Sequence, residues 1–174
     1  MNMNKRKMLV VVDMQNDFID GPLGTPEAAA IVDKVCQKID DWDGRVLFTM
    51  DTHYENYLDT LEGKHIPVMH CLDKTPGWEL YPEIKKRRAD DSFWVYKETF
   101  GSEELFNITN YLDIEEVELV GVCTDICVVS NALLLRTMNP NMKITVDASC
   151  CAGTTPEAHE AALLVMKNCC VDIV

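Results

Sequence analysis

The chain has 174 residues, of which 47% are hydrophobic and 26% are charged, a composition typical of a soluble globular protein with a sizeable core. Its formal net charge of -13 disfavours nucleic acids and anionic membranes as partners. No apolar run approaches the ~20 residues of a membrane span, and the apolar run 8–12 is too short for a secretory signal. We therefore expect a cytoplasmic protein with a single domain over residues 1–174.

Strand and helix patterns alternate along the chain. The predicted strands are 7–12, 45–50, 93–96, 116–122, 143–146 and 170–174, and the predicted helices are 26–39, 78–86, 102–112, 125–138 and 156–168. The segment 54–75 has no clear periodicity, and a loop of that length inside a compact domain is usually functional or disordered. The alternation predicts a doubly wound α/β domain, in which helices cover a parallel sheet.

Reactive side chains follow four of the predicted strands. They are Asp13, then Asp51 with His53, then Lys97, and finally the segment from Cys123 to Cys127. Ligands of open α/β sheets bind beyond the carboxyl ends of the strands. Packing alone does not readily deliver a reactive residue to one edge from four strands, so the pattern favours a functional site there.

Cys127 falls in the first turn of the predicted helix 125–138. Backbone N–H groups are free in a first turn, and the helix dipole there favours a thiolate and could stabilise an oxyanion. Thr124 or Asp125 could cap the helix. The alternative is a structural cysteine that packs between strand and helix, and this stretch by itself leaves both interpretations open.

The eight cysteines do not form the pattern of a disulfide-rich scaffold. Three pairs, Cys123/Cys127, Cys150/Cys151 and Cys169/Cys170, fall inside strand or helix patterns, and no C-x-x-C pair is present. We expect free thiols in a reducing compartment, and neither a zinc ribbon nor a thioredoxin motif.

Three segments resemble the motifs of the isochorismatase-like cysteine hydrolases: VVDMQNDF at 11–18, KETF at 97–100 and GVCTDICV at 121–128. DTH at 51–53 and HCLDKTPG at 70–77 resemble metal-binding segments of the nicotinamidase branch. The resemblance extends from about residue 7 to residue 174. It implies the isochorismatase-like hydrolase fold, a three-layer α/β/α domain whose six parallel strands have the order 3-2-1-4-5-6.

The resemblance also implies a catalytic triad of Asp13, Lys97 and Cys127. Cys127 would attack an amide carbonyl and form a thioester, Asp13 would carry the thiol proton to the leaving amine, and Lys97 would hold Asp13 and favour the thiolate. Taken singly, Asp13 could be a loop cap and Lys97 a solvated strand end. The resemblance further implies a cis peptide between Val122 and Cys123, an oxyanion hole formed by the N–H groups of Cys123 and Cys127, and a homo-oligomer, either a dimer or a tetramer.

A metal site is implied as well, with Asp51, His53 and His70 as three of its ligands. Relatives carry the fourth ligand either at the position of Asp59, as histidine, or at that of Glu62, which we favour. Two histidines and two carboxylates suit Zn²⁺, and Mn²⁺ or Fe²⁺ are also compatible. The ion would orient the ring nitrogen of the substrate and would be separate from the triad. The alternative is an acidic surface loop with two incidental histidines.

The substrate is the least determined part. Phe18 matches an aromatic position that lines the ring pocket of relatives, whereas Pro67 stands where nicotinamidases commonly carry an aromatic residue. Trp78 could supply that ring, or could be a core residue. The predicted function is a nicotinamidase-like amidase that converts nicotinamide, or a related small cyclic amide, to its acid and ammonia. The alternatives are a metal-free hydrolase of another amide or ureido acid, a non-catalytic paralogue, and a redox or zinc-storage protein. His65 and His159 are expected on the surface or in helices.

Overall fold

The computed structural model describes residues 4–174 of the chain. Its strands are β1 (Asn4–Val12), β2 (Gly44–Asp51), β3 (Phe93–Lys97), β4 (Glu116–Val122), β5 (Lys143–Ala152) and β6 (Asp172–Ile173). Its helices are α1 (Asn16–Ile19), α2 (Pro26–Asp41), α3 (Leu61–His65), α4 (Pro82–Lys85), α5 (Glu103–Tyr111), α6 (Val129–Met138) and α7 (Pro156–Asn168). A 3₁₀ turn (Tyr57–Asp59) precedes α3, and a π-helical turn (Thr124–Val128) precedes α6.

The six strands form one sheet in the order β3-β2-β1-β4-β5-β6, and every neighbouring pair is parallel. The predicted strand order is therefore confirmed. The order reverses direction between β1 and β4, and at such a switch point the connections leave a crevice beyond the carboxyl ends of the strands.

The central strand β1 shows why the domain has three layers. Met8 to Val12 are all fully buried, and their side chains alternate between the two faces of the sheet. Val10 belongs to a core cluster that includes residues of α5, α6 and α7, whereas Val11 belongs to a second cluster with residues of α2 and α4. Both faces of the sheet are thus covered by helices, as expected for parallel strands.

Helix α2 begins where the sequence predicts. The Thr25 side chain accepts a hydrogen bond from the Ala28 N–H, and Pro26 occupies the first turn. On the inner face of the helix Lys38 forms ion pairs of 2.7 Å with both Glu118 and Asp147. These contacts tie α2 to β4 and β5.

Strand β4 passes unusually close to β1 at its carboxyl end. Gly121 has a φ of 117°, and a Cβ placed on it would lie 2.2 Å from the Val12 carbonyl oxygen, so only glycine fits this position. One residue further on, the Val122–Cys123 peptide bond is cis, as predicted. The segment that carries Cys127 therefore starts directly beside the end of β1.

Three predicted elements differ from the structure. The predicted helix 78–86 is only α4, Pro82–Lys85, because residues before Pro82 pair with the loop after β1 through the Gln15–Leu80 bridge. The predicted strand 143–146 continues as β5 to Ala152, past an irregularity in its pairing with β4. The predicted helix 125–138 is divided into a π-helical turn and α6.

Candidate active site

Three strand ends bring Asp13, Lys97 and Cys127 together. The Lys97 Nζ atom lies 2.6 Å from Asp13 Oδ2 and donates to Cys127 Sγ at 3.4 Å. Exposure is 0% for Asp13, 4% for Lys97 and 5% for Cys127, so the group is screened from bulk water. The Asp13 backbone is left-handed, with a φ of 49°, and its N–H bonds to the Thr49 hydroxyl, which in turn donates to Asp13 Oδ1 at 2.6 Å. Sequence reasoning missed Thr49, although it lies on the strand beside β1.

Burial and the mutual charges of these three residues together determine their ionisation. Burial raises the pKa of Asp13, although Lys97 opposes the shift. Burial also raises the pKa of Cys127 well above its ordinary value, again against the charge of Lys97. Burial alone would lower the pKa of Lys97, but the neighbouring acidic groups raise it well above the usual range. Burial thus opposes the thiolate at Cys127, while the Lys97 cation and the helix start favour it.

The turn that carries Cys127 also differs from the predicted helix start. The Cys123 carbonyl accepts hydrogen bonds from the N–H groups of Ile126 and Val128, which closes the π-helical turn. Neither predicted side-chain cap forms. Asp125 instead accepts from the backbone and hydroxyl of Thr154, at 2.8 and 2.6 Å, and the Thr124 hydroxyl bonds to Nδ1 of His159. Both side chains thus fasten the turn to the segment that leads into α7.

A second group of side chains contains Asp51, His53, Glu62 and His70, with one potential ligand atom from each lying within 4.8 Å of the others. The His53 Nε2 atom is 2.9 Å from Asp51 Oδ2 and 3.4 Å from Glu62 Oε1, and the His70 Nε2 atom is 3.4 and 4.0 Å from the same two oxygens. Burial would lower the pKa of His53, but Asp51 and Glu62 raise it to about 9. Burial would raise the pKa of Asp51, but the two histidines and Lys97 hold it far below its usual range.

Asp51 belongs to both groups. Its Oδ1 atom lies 3.2 Å from Lys97 Nζ, while its Oδ2 atom faces His53 and His70. The metal ligands and the triad, which the sequence predicts as separate sets, are therefore in direct contact through Asp51 and Lys97. The cause is the parallel register, which places Asp51 directly beside Lys97 at the ends of β2 and β3.

A cavity of about 480 Å³ connects the two groups. Asp51, Glu62 and His70 lie in its wall together with Cys123 and Cys127. The apolar part of the wall is formed by Phe18, Leu23, Ala28, Ile66, Phe100, Val122 and Ile126, and the remainder by Gly24, Thr25, Gly153 and Thr154. A mostly apolar cavity with polar groups at one end is typical of a small-molecule site.

Comparison with known proteins identifies the family. Residues 7–174 match the family described as "Isochorismatase domain". The chain belongs to the isochorismatase family. This family member is 27% identical over 186 residues to a nicotinamidase/pyrazinamidase of Mycobacterium tuberculosis, with 97% of this chain and 98% of that protein covered. It is 29% identical over 184 residues to a probable inactive nicotinamidase of Arabidopsis thaliana, with 92% and 87% covered.

Among solved structures, the pyrazinamidase of Pyrococcus horikoshii in complex with zinc is similar to this isochorismatase family member. The TM-score is 0.86 at 28% sequence identity, with 97% of this chain and 98% of that chain covered. The likeness therefore extends over nearly the whole fold.

The four-residue cluster of this family member fits a divalent ion. The buried Nε2 atom of His53 lies 2.9 Å from Asp51 Oδ2 but makes no well-aligned hydrogen bond within the described residues. A tetrahedral ion with bonds of about 2.1 Å would separate its ligands by about 3.4 Å. Nδ1 of His70 lies 2.7 Å from the Val68 carbonyl, which leaves Nε2 free to coordinate. Two imidazole nitrogens and two carboxylate oxygens together form the donor set of a zinc-type site.

The structure brings Glu62, rather than Asp59, to the other three residues of the cluster. Glu62 lies in the first turn of α3, whose Thr60 cap accepts from the Gly63 N–H. A Cβ on Gly63 would lie 2.1 Å from the Tyr57 carbonyl oxygen, so the glycine lets α3 pack tightly on the preceding 3₁₀ turn. Asp59 lies in that turn and is exposed.

Phe18 and Trp78 differ in their relation to the cavity. Phe18 lies in its wall and packs edge-on against His70, with ring centroids 5.5 Å apart. Trp78 is not among the lining residues; its indole N–H donates to Thr52 Oγ1 at 2.9 Å and its ring stacks on Tyr96. Of the two alternatives for Trp78, the structure favours a core residue, since Trp78 packs against the core cluster that contains Val11. Phe100, which sequence reasoning missed, lies in the wall instead.

The two remaining histidines lie outside the cluster. His65 is exposed at the end of α3, where Nδ1 contacts the Leu61 carbonyl. His159 is half-buried on α7 and contacts Thr124.

Proposed function

We propose that this protein is a nicotinamidase-like cysteine amidohydrolase that converts nicotinamide, or a related small cyclic amide, to its carboxylic acid and ammonia. The family and the relatives support a hydrolase of amide C–N bonds. The observation that carries the proposal is the buried contact of Lys97 with both Asp13 and Cys127, at 2.6 and 3.4 Å, beside a ligand-sized cavity.

In the proposed reaction the Cys127 sulfur attacks the carbonyl carbon while Asp13 accepts the thiol proton. Asp13 then donates that proton to the amide nitrogen as the C–N bond breaks, and ammonia leaves. Water attacks the resulting thioester, with Asp13 again accepting a proton. The C–S bond breaks, and the proton returns to sulfur.

The electrostatics suit these roles. A carboxylate whose pKa is raised by burial is a stronger base than an exposed one, so it accepts the thiol proton more readily. Lys97 stabilises the negative charge as it moves between Asp13 and Cys127. The backbone N–H groups of Cys123 and Cys127 are proposed to stabilise the oxyanion.

A divalent ion, Zn²⁺ in the first instance, would be held by Asp51, His53, Glu62 and His70. It would supply a positive charge that binds the ring nitrogen of the substrate and thereby orients the carboxamide. The support is the four-ligand cluster and the zinc complex of the Pyrococcus horikoshii relative. Mn²⁺ and Fe²⁺ are compatible with the same donors.

The test is ammonia release from a panel of heteroaromatic and aliphatic amides, ureido acids among them, with metal analysis of the purified protein. We expect turnover of nicotinamide and pyrazinamide, a stoichiometric divalent ion, and no turnover by Asp13→Ala. Turnover of ureido acids without bound metal would favour a metal-free family hydrolase. No turnover of any amide would favour a non-catalytic paralogue, and the relative described as a probable inactive nicotinamidase makes that alternative concrete.

The remaining features of the proposal concern the whole molecule. We propose a single domain, a homo-oligomeric state and a cytoplasmic location. All eight cysteines are free thiols, which is compatible with a reducing compartment but also fits the thiol-storage alternative. That alternative predicts thiol-bound metal that survives loss of both His53 and His70. Within residues 4–174, no helix is long and apolar enough to cross a membrane.

A further inference from the structure

The loop after β1 is bound along its length to the segment 76–81. The Asn16 N–H donates to the Glu79 carbonyl, the Asp17 N–H to the Gly77 carbonyl, and the Tyr81 N–H to the Met14 carbonyl, at 2.9 to 3.0 Å. This segment follows His70 in the chain. The chain after His70, the last member of the metal cluster, therefore packs against the loop that follows β1.

Asp17, which has no part in the proposed chemistry, contacts the peptide next to His70. Its Oδ2 atom accepts a hydrogen bond of 2.7 Å from the Cys71 N–H, the peptide directly after His70. The Cys71 carbonyl in turn accepts from the His53 N–H at 2.9 Å. One residue, Cys71, thus connects the Asp17 side chain to the backbone of both histidines.

The Cys71 backbone needs such support. Its φ is 45°, in the left-handed region that residues with a side chain seldom adopt. The Asp17 carboxylate also lies against Gly77, where an added Cβ would be 2.2 to 2.4 Å from the carboxylate atoms. Because Gly77 has no side chain, the Asp17 carboxylate can lie close enough to the Cys71 N–H to accept its hydrogen bond.

We propose that Asp17 is a positioning residue for the metal site, acting through the Cys71 peptide to hold His70 and His53 in their coordinating orientation. The inference rests on the proposed function only in taking this cluster as a metal site. Groups that orient metal ligands are typically worth about 10- to 100-fold in metal affinity.

The test measures zinc affinity by competition with a chromophoric chelator, on folded metal-free protein. Asp17→Ala should weaken zinc binding about 10- to 100-fold, and Asp17→Asn, which keeps a side-chain acceptor, should restore most of the affinity. Gly77→Ala should weaken binding similarly while leaving Asp17 in place, because its Cβ displaces the carboxylate. In amide hydrolysis, the KM of Asp17→Ala should rise more than its kcat falls.

Two matched controls separate positioning from general damage to the loop. Asp73→Ala removes a carboxylate from the segment that follows His70, and the ion-pair partner of Asp73 is the exposed Lys74. Gly101→Ala adds a Cβ that meets neighbouring atoms only at 3.5 Å or more. Both should bind zinc as the wild type does. In a His70→Ala background, Asp17→Ala should cost less than it does in the wild type, because the part of its effect that is exerted through His70 is already lost.

The inference is overturned if Asp17→Ala binds zinc as tightly as the wild type, or if its effect and that of His70→Ala multiply in full. A wild type that hydrolyses amides without binding zinc overturns both this inference and the proposed metal site, while the triad stands. If the wild type binds zinc but hydrolyses no amide, and Asp17→Ala weakens zinc binding, the inference is supported and the proposed function is rejected.

Discussion

At the scale of single residues, two cysteines in the cavity wall have different surroundings. Burial raises the pKa of both thiols, but of the two sulfur atoms the Lys97 Nζ atom contacts only that of Cys127, at 3.4 Å, among the described residues. We expect Cys127→Ala to lower kcat for amide hydrolysis by at least about 10³-fold, since nothing else supplies the nucleophile. Cys123→Ala should keep activity within about tenfold, since only its backbone N–H is needed.

The measurement is ammonia release, with circular dichroism and thermal unfolding as checks that both variants fold. Reversed phenotypes would show that the nucleophile is Cys123 and that the Lys97 contact does not mark it.

The bridging position of Asp51 predicts how metal removal affects the nucleophile. Without a cation, the full charge of Asp51 competes with Asp13 and Cys127 for Lys97, and an added negative charge nearby raises the pKa of a thiol. We expect chelation to slow iodoacetamide alkylation of Cys127 about three- to tenfold at pH 8, equivalent to a pKa increase of up to about one unit. The KM for amides should rise strongly, since orientation is lost.

The experiment alkylates metal-loaded and chelator-treated protein in parallel over a pH series, with mass spectrometry to identify Cys127. Complete protection of Cys127 from alkylation in folded, chelated protein would show that the ion is required to activate the nucleophile. Unchanged alkylation together with unchanged turnover would mean that no functional metal is bound.

At the scale of elements, Lys38 determines how firmly α2 is held against the sheet. It contacts Glu118 and Asp147 at 2.7 Å, and its side chain is 27% exposed against 13% and 12% for theirs. Lys38→Met leaves these two largely buried carboxylates without a positive partner. We therefore expect the free energy of unfolding at pH 7 to fall by about 1–3 kcal/mol. Lys34→Met, on the same helix but exposed, should have almost no effect.

The pH dependence of this difference follows from the pKa directions. Burial opposes the shift, but Lys38 and Ser149 lower the pKa of Asp147 in the folded state, so its stabilising contribution is present above the unfolded pKa near 4 and is lost as the pH falls through the folded value. The pKa of Lys38 is raised by the same carboxylates, so its contribution persists through neutral pH. Urea unfolding should show a constant gap between wild type and Lys38→Met from about pH 5 to 9, shrinking below pH 4. A gap that stays constant down to pH 2 would contradict the ion-pair explanation.

Helices and strands whose ends are marked by nearby residues were predictable from the sequence. Those whose ends depend on hydrogen bonds to distant segments were not. Helix α2 carries its Thr25 cap and apolar face in sequence, and it begins as predicted. The predicted helix 78–86 failed because the loop after β1 provides hydrogen-bond partners to residues before Pro82. The end of β5 was missed because Asp147 and Ser149 interrupt the apolar run, although the strand resumes beyond them.

At the scale of the whole molecule, we predict self-association, with a dimer or tetramer as the expected species. The proposal follows from the family to which the chain belongs. Light scattering at micromolar concentration should give a mass at least twice the 19.7 kDa of one chain. Measurement at high and low salt is the control, because a net charge of -13 repels like copies at low ionic strength. A 19.7 kDa species in both conditions would reject the prediction.

The sequence by itself determined the alternation of strands and helices, the reactive residues at the strand ends, and the motifs that carry the family resemblance. These signals are local: an apolar run, a cap, or a reactive residue after a strand is present in a few consecutive positions. The tertiary structure was needed to establish that Glu62 joins the cluster and Asp59 does not, that Phe100 lines the cavity and Trp78 does not, that burial opposes the thiolate at Cys127, and that Asp51 contacts both groups. Each of these depends on which distant segments meet and on how completely water is excluded between them, and neither quantity is a property of any one stretch of the chain.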